Sequence, residues 1–303
     1  METADSQRQF QTVGRGLLVR APAKINLSLL VAGMRDDGFH EIETLMAKVT
    51  LFDEVLIEQG AKEGIELVCR GPCWAPLAQE NLVHRACKLL LERSGVRANI
   101  KVTLTKNIPA GSGLGSASSD AAAALMGVNS FLKLDLDQGS LRKFAALLGS
   151  DTVFFLNGPL ALCTGRGERI RRLDQIFDFL AVLVLPDVNI STKKVYENYR
   201  HEPAVFRRLR AEIKVLIEKN RIDLVRKMCA NMLERTCFAL YKDLAELKRT
   251  IESSGIGPVC LSGSGSAMFS IIENGDNSEA SRQKHKLEEI IGCKSVIVSN
   301  NRW

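Results

Sequence analysis

Apolar and polar residues alternate in several short runs of the first half of the chain, and a period of two is typical of half-buried strands. These runs predict strands near residues 16–20, 25–31, 47–58, 64–69, 99–105, 154–163 and 168–173. Between them, the sequence predicts helices at about 81–94, from the alanine run to Leu132, and over SLRKFAALLG, where Ser140 is the expected N-cap. The first half therefore combines strands with helices.

The pattern changes near residues 176–182. FLAVLVLP at 179–186 is a continuous apolar strand, helices dominate 191–253, and the short strands PVCLS and AMFSII flank an SGSGS turn at 262–266. A helix near 279–291 and the strand KSVIVS follow. Strand, helices, two adjacent strands, helix and strand is an order compatible with a ferredoxin-like α/β sandwich. We therefore predict an α+β protein with two domains, at residues 1–178 and 179–303.

Length and composition fit this prediction, because 303 residues can bury a large core. No apolar run approaches the roughly 18 residues of a membrane span. The polar N-terminus METADSQRQF lacks an apolar signal core. We read it as a short disordered lead-in and expect a cytoplasmic protein.

Cysteines and charges narrow the possible partners. The eight cysteines show no CxxC spacing and do not cluster with the four histidines, so we expect reduced core residues, with a zinc site or a disulfide framework as the alternative. The net charge of +6 is mild. Basic residues concentrate at 165–173 and 200–250, which favours a solvated face but would also suit a polyanionic small molecule or a nucleic acid.

The segment PAGSGLGSASSDAAAAL, residues 109–125, joins a predicted strand directly to a predicted helix. Glycines let backbone N–H groups approach a ligand, and a helix N-terminus offers unpaired N–H groups and a positive dipole end. Together they predict a phosphate cradle rather than a flexible linker. The spacing matches neither a Walker A loop nor the GxGxxG fingerprint. Gly111, Gly113 and Gly115 would form the turn, Ser112, Ser116, Ser118 and Ser119 would add hydroxyl groups, and Asp120 would lie in the first helical turn.

Four more features suggest chemistry. SGSGS is either a tight hairpin or a second loop over the same phosphorylated ligand. Lys24 and Asn26 share one face of a strand, although an edge-strand lysine that prevents aggregation would explain Lys24 equally well. Asp151 follows a helix end and precedes an apolar strand, where a buried carboxylate needs a partner such as Lys24. Phe39 and His40 could stack on and hydrogen-bond a planar ring, or simply pack.

With these pieces assembled, the chain resembles the GHMP small-molecule kinases over residues 18–298. PAGSGLGSASSDAAAAL resembles their central ATP loop and SGSGSAMFSI their C-terminal glycine motif. APAKINL, DGFHEIETL, ENLVHRA, the LGSD and FF segment, and PDVNISTKKVY resemble the branch that uses ATP to phosphorylate the 2-hydroxyl of a cytidine diphosphate conjugate of methylerythritol, on the non-mevalonate route to isoprenoid precursors. The resemblance implies a ribosomal-protein-S5-domain-2-like ATP domain followed by a ferredoxin-like domain.

The resemblance also implies roles for the matched residues. Asp151 would be the general base, and Lys24 would keep it ionised and polarise the nucleophile. The ATP-binding residues would be Asn81, Lys106, Pro109, Ala110, Gly111, Ser112, Gly113, Leu114, Gly115, Ser116, Ala117, Ser118 and Ser119, with Asn81 and Lys106 near the adenine. The substrate-binding residues would be Asn26, Phe39, His40, Thr192, Tyr196, Gly263, Ser264 and Gly265. Phe39 and Tyr196 would sandwich the cytosine, and His40 would bind its edge. The turn formed by residues 263–265 would approach the diphosphate.

Mg²⁺ is expected with ATP, and no protein ligand for it can be assigned. Two departures from the family pattern stand out, because Phe39 replaces the usual tyrosine and Val153 replaces a proline.

Sibling kinases for homoserine, mevalonate or phosphomevalonate would share both glycine motifs, but their substrates contain no base that could stack on an aromatic ring. A non-catalytic nucleotide sensor, or an RNA-binding protein that uses the 200–250 helices, would also account for part of the pattern. The favoured partner is a small molecule, with neither nucleic acid nor membrane, and the oligomeric state is not predicted.

Overall fold

The computed structural model describes residues 8–174, 178–219, 225–272 and 275–303. The first seven residues of the predicted lead-in and residues 175–177 at the predicted change of pattern lie outside the described residues. The division at 178/179 falls in the connection before the first strand of the second sheet, and it stays a prediction.

The larger sheet is built around two very long strands. β2 and β3 are paired antiparallel along almost their whole length, with register shifts at Pro22/Ala23, Asn26/Ser28 and Val31/Gly33. Because pairing continues through these bulges, the predicted strands at 16–20 and 25–31 are one strand of 19 residues. The strands are β1 (Phe10–Val13), β2 (Gly16–Met34), β3 (His40–Gln59), β4 (Gly64–Arg70), β5 (Asn99–Thr105), β6 (Leu160–Gly165), β7 (Arg169–Arg172) and β9 (Ala230–Asn231).

Their order is β1-β2-β3-β5-β4, while β6 pairs with the first part of β3 and with β7, and β9 pairs with β2. Four helices pack with this sheet: α1 (Leu82–Ser94), α2 (Ser116–Phe131), α3 (Gln138–Leu148) and α4 (Ser150–Phe155). The alanines of α2 are buried, and Gly127 lies so near β3 that a Cβ atom would be 2.3 Å from Ile57. Small side chains thus let α2 approach the sheet closely.

Two local predictions are wrong. Asp137, not Ser140, caps α3, because its Oδ1 accepts from the Ser140 N–H at 2.6 Å and the helix begins earlier. The run predicted as a strand over 154–163 starts as the short helix α4 and becomes β6 only at Leu160. Val153, Phe154 and Phe155 are all buried, and a short, fully buried run carries no period that separates helix from strand.

The smaller sheet has four antiparallel strands in the order β10-β11-β8-β12. They are β8 (Leu180–Val184), β10 (Cys260–Leu261), β11 (Met268–Ile272) and β12 (Ser295–Ser299). The helices of this half are α5 (Thr192–Asn198), α6 (Pro203–Glu218), α7 (Val225–Met228), α8 (Glu234–Leu240), α9 (Lys242–Ser253) and α10 (Asn277–His285). This arrangement confirms the ferredoxin-like order and the hairpin around SGSGS.

The two sheets share an apolar cluster, since Ile25 and Leu27 of β2 lie in the same core as Leu183 of β8 and Phe269 of β11. None of the eight cysteines forms a disulfide bond, and four of them are buried while four are partly exposed. In the described part of the chain, none of the helices has the length and apolar character needed to cross a membrane.

Candidate active site

Lys24 lies in the middle of β2, and its side chain is only 4% exposed. Its backbone N–H donates to Leu114 O at 2.9 Å, so the glycine loop covers the strand at this point. Its ammonium group donates to Asn26 Oδ1 at 2.5 Å and to Gly113 O at 2.7 Å. The predicted common face of Lys24 and Asn26 is confirmed, and the edge-strand explanation is wrong because the side chain is buried between strand and loop.

Asp151 faces Lys24, with 3.9 Å between Oδ2 and Nζ. It lies in the first turn of α4, where the helix dipole favours a carboxylate. Its side chain is 40% exposed, which corrects the expectation of a buried carboxylate. Burial lowers the pKa of Lys24, and the charge of Asp151 opposes that effect. The pair thus combines a buried cation with a carboxylate that a solute can reach.

The first glycine loop turns sharply before α2. Gly111, Gly113 and Gly115 have φ angles of +69°, +80° and +71°, which glycine adopts without strain. A Cβ atom on Gly115 would lie 3.0 Å from Lys24 Cγ and 2.9 Å from Phe155, so only a glycine lets the loop pass this close. Pro109 and Ser112 close the turn, because the Ser112 hydroxyl donates to Pro109 O at 2.7 Å. Ala110, Ala117 and Ser118 lie on the same loop and the first turn of α2.

The two glycine loops are in direct contact. Ser262 Oγ donates to Gly113 O at 3.1 Å, and Ala267 N donates to Ser112 O at 2.9 Å. The Asn26 N–H also donates to Ser262 Oγ, at 3.3 Å. A Cβ atom on Gly263 would lie 3.4 Å from Asn26 Oδ1. The second loop therefore meets the first loop and the Lys24 strand at one point.

Beneath the first loop lies a buried ionic cluster, formed by Lys106, Asp53, Asp120 and Ser116. The Lys106 ammonium contacts Asp53, the Ser116 hydroxyl and, at 2.7 Å, Asp120. Burial alone would lower the pKa of Lys106, but the two carboxylates raise it above its ordinary value, whereas burial raises the pKa of Asp120. Asp53 also accepts from the N–H of Ile108 at 2.9 Å. The cluster supports the loop from below, so the ammonium of Lys106 points inward.

Asn81 is also engaged structurally. Its side chain accepts from Val83 N at 2.9 Å as the N-cap of α1 and donates to Pro76 O at 2.8 Å. Among the described residues, no hydrogen bond joins Asn81 to the Lys24–Asp151 pair. The Asn81 side chain also contacts Cys69 Sγ. Cys69 lies on β4, which pairs with β5, the strand that precedes the first glycine loop.

An aromatic group lies where β3 begins. The ring of His40 is 5.3 Å from that of Tyr196 and 5.9 Å from that of Tyr199. Burial and then the charge of His201 lower the pKa of His40. Burial, then the charge of Asp151, raises the pKa of Tyr196, which ties α5 electrostatically to the carboxylate. His40 and Tyr196 are therefore brought together near Asp151.

Phe39 is 54% exposed, and the Arg166 guanidinium lies 4.7 Å from its ring centroid. No ring contact joins Phe39 to Tyr196 in the part of the chain that the structure describes. On the other side, the hydroxyls of Thr192 and Ser264 are 2.8 Å apart, so α5 also touches the second glycine loop, which continues into Gly265. The predicted residues on α5, on β2 and in both loops thus border one region.

Sequence reasoning missed three contributors. Thr44 accepts from Asn26 Nδ2 at 2.8 Å and donates to Ser28 O at 2.6 Å, fixing the amide. Ser262 bridges the loops, and Arg166 covers Phe39. Each is a polar residue in the sequence, but only the fold shows its partner.

The oxygen atoms present suit a magnesium ion that is held mainly by phosphates. Among the described residues, no group of three or more His, Cys, Asp or Glu side chains could hold a metal ion. The buried Ser119 hydroxyl in the first turn of α2 has no hydrogen-bond partner in the described part of the chain. Mg²⁺ often takes one or two protein oxygens beside substrate phosphates and water. The Ser119 hydroxyl is an oxygen of that kind.

Comparisons with known proteins show the family of this chain. Residues 81–159 match the GHMP kinases N terminal domain, and residues 213–289 match the GHMP kinases C terminal. The 4-diphosphocytidyl-2-C-methyl-D-erythritol kinase of Clostridium botulinum is 34% identical over 271 residues, or 89% of this chain and 95% of that protein. The kinase of the same name from Bacillus pumilus is 35% identical over 85% of this chain and 88% of its own length.

Solved structures show the same fold. A crystal structure of 4-(cytidine 5'-diphospho)-2C-methyl-D-erythritol kinase superposes with a TM-score of 0.77 at 30% identity, over 94% of this chain and all of that one (100%). Homoserine kinase from Cytophaga hutchinsonii gives a TM-score of 0.73 at 21% identity, over 97% of this chain and 96% of that one, and supports the fold alone. The α+β kinase fold predicted from the sequence is confirmed.

Proposed function

The chain belongs to the GHMP kinases, and we propose that it transfers the γ-phosphoryl group of ATP to the 2-hydroxyl of 4-diphosphocytidyl-2-C-methyl-D-erythritol on the non-mevalonate route to isoprenoid precursors. The observation that carries the chemistry is the contact of Lys24 with Asp151, 3.9 Å apart, beside a loop shaped for phosphates. A carboxylate, a buried cation and a glycine loop are three of the parts that phosphoryl transfer to an alcohol uses.

In the proposed reaction, Asp151 accepts the proton of the substrate hydroxyl. Lys24 keeps that carboxylate ionised and stabilises negative charge as the phosphoryl group moves. Asn26 and Thr44 hold the Lys24 ammonium in place through the hydrogen bond from Lys24 Nζ to Asn26 Oδ1 at 2.5 Å. Because Asp151 is partly exposed, the hydroxyl can reach it without a rearrangement of α4.

ATP would lie along the first glycine loop, with its phosphates at the N-terminus of α2. The Lys106 cluster beneath that loop would hold it in shape rather than touch the nucleotide. Mg²⁺ supplies charge neutralisation on the phosphates when it is bound with ATP. Ser119 is the protein oxygen we assign to it.

The cytidine end would occupy the aromatic group around His40. Tyr196 and Phe39 provide ring faces for stacking, and the neutral imidazole of His40 can bind a base edge. Gly263, Ser264 and Thr192 would approach the diphosphate from the second loop. This proposal includes a cytoplasmic location, which eight cysteines without a disulfide bond favour because reducing compartments keep cysteines reduced.

The test is ADP release from Mg-ATP with 4-diphosphocytidyl-2-C-methyl-D-erythritol, with mevalonate and homoserine assayed in parallel. Asp151→Asn keeps the shape of the side chain and removes the base, so kcat should fall by about a hundredfold or more while ATP affinity is kept. Asp243→Asn is the matched control, because Asp243 also lies in the first turn of a helix. Near-normal kcat in folded Asp151→Asn would refute the role of Asp151, and turnover with another alcohol alone would refute the substrate.

A further inference from the structure

A cavity of about 580 Å³ lies at the end of α4 opposite Asp151. Its walls come from α3, from the segment after α4, from β7 and from the C-terminal residues. We call it the α4-end cavity and define it by Arg142, Asn157, Gly158, Arg172, Arg302 and Trp303. None of the residues assigned above to ATP, substrate or catalysis lines it.

Arginines are the charged residues that line the cavity. Arg142, Arg172 and Arg302 converge on it from three separate elements, and no carboxylate is among the described residues of its lining. Arg172 and Arg302 pair with Asp174 at 2.9 Å and Asp178 at 3.0 Å, but both pairs are largely exposed. Exposed ion pairs contribute little and leave the guanidinium groups open to a better partner. Guanidinium groups match the geometry of phosphate oxygens.

Two of the arginines are positioned by specific contacts. Arg142 Nη2 donates to Asn157 Oδ1 at 2.8 Å. The Arg172 side chain packs against Gly158, because a Cβ atom added to Gly158 would lie 2.8 Å from Arg172 Nε. Since Gly158 is not at a positive φ, the benefit of glycine here is the room it gives to the Arg172 side chain.

The cavity also has a planar and apolar side. The Trp303 ring is stacked on Phe52, with 5.5 Å between ring centroids and an interplanar angle of 21°. Leu156 and Ile170 line the same space. A purely inorganic anion would leave this surface uncovered, whereas an organic phosphate would cover it.

We propose that the α4-end cavity binds a phosphate ester with a planar organic group, whose phosphate contacts Arg142 and Arg172 and whose plane lies near Trp303. This site is separate from the proposed kinase site. Its test therefore does not depend on which alcohol the enzyme phosphorylates.

The chain offers a local reporter, since it has only two tryptophans and Trp74 is 73% exposed. In the Trp74→Phe variant, Trp303 is the remaining tryptophan. Titration with phenyl phosphate at constant ionic strength should change its fluorescence saturably, and phenol should not reproduce that change. Arg142→Gln and Arg172→Gln, each in the Trp74→Phe background, should weaken binding about tenfold, as expected for a lost charged hydrogen bond.

Arg208→Gln is the matched control, because Arg208 is an exposed helix arginine with a carboxylate partner, Glu212, at 3.2 Å. Gly158→Ala keeps every charge but displaces Arg172, so it should also weaken binding. Circular dichroism and thermal unfolding establish that each variant is folded. The proposal is overturned if Trp303 shows no saturable response, or if folded Arg142→Gln and Arg172→Gln bind phenyl phosphate as tightly as the Arg208→Gln control.

Discussion

Lys48 gives the sharpest prediction, because it is a buried cation without a carboxylate partner in the described part of the chain. Its side chain is 1% exposed, and its ammonium donates to Phe155 O at 3.1 Å and Asn157 O at 2.7 Å. These carbonyls lie at the C-terminal end of α4, where helix carbonyls lack partners and a cation is favourable. Burial, and then the charge of Arg172, lowers the pKa of Lys48 from 10.5 to about 7.

The sign of the resulting pH dependence follows from proton counting. Between pH 7 and 10.5 the unfolded chain holds a proton on Lys48 that the native protein has released. The free energy of unfolding contributed by Lys48 therefore rises with pH across this window, by about 1.4 kcal/mol per pH unit. Below pH 7 both states are protonated and the burial penalty is complete. From about pH 6 to about pH 9 the gain is about 2.5 kcal/mol.

The assay is urea unfolding of the wild type and of Lys48→Met at pH 6 and pH 9. Methionine fills the space without a charge. The difference in the free energy of unfolding between wild type and variant should therefore shift by about 2.5 kcal/mol in favour of the wild type from pH 6 to pH 9. Lys88→Met is the control, since Lys88 is an exposed helix lysine 3.8 Å from Glu92. A difference that stays constant with pH would show that Lys48 does not titrate in this window and would refute the argument.

Two further predictions concern the site. Gly113→Ala and Gly111→Ala share the strain of a positive φ, but only at Gly113 would the Cβ atom meet backbone, 2.2 Å from Ser262 O, whereas at Gly111 the nearest atom is 3.7 Å away. Thermal unfolding and the KM for ATP should therefore be affected much more in Gly113→Ala, and equal effects would contradict contact between the loops. Phe39→Ala should raise the KM for the cytidine substrate about tenfold through lost stacking, while its KM for ATP stays near wild type. In Phe39→Tyr, which keeps the aromatic ring, the KM for the cytidine substrate should also stay near wild type. A matching rise in the KM for ATP would contradict a base-binding role.

The sequence predicted most elements, because their signals are local. Glycine spacing before an alanine run, alternation in the strands and the SGSGS turn each depend on a few neighbouring residues. Even the pairing of Lys24 with Asn26 followed from alternation, and their contact is 2.5 Å in the structure. Where a signal was local and repeated, the structure agrees.

The wrong predictions have separate physical causes. The last two residues of α4, Phe154 and Phe155, were predicted as part of a strand, because a short, continuous apolar run shows no period that distinguishes a helix. The inward turn of Lys106 depends on Asp53, which is 53 positions away and contributes nothing to a local pattern. The long strand β2 was predicted as two strands, at 16–20 and 25–31, whereas its pairing with β3 continues through a register shift at Pro22/Ala23.

The carbonyl of Gly113 shows why the proposed chemistry needs both halves of the chain. It accepts from Lys24 Nζ at 2.7 Å and from Ser262 Oγ at 3.1 Å, so the catalytic strand, the first loop and the second loop meet on one atom. Because Lys24 donates to this carbonyl and to Asn26, its ammonium cannot turn away from Asp151 without losing buried hydrogen bonds. At the other end of α4, Lys48 holds the helix that carries Asp151. The position of Lys24 is therefore set by β2 and the two loops, and Lys48 holds the end of α4 away from Asp151, so displacement of either element should lower kcat.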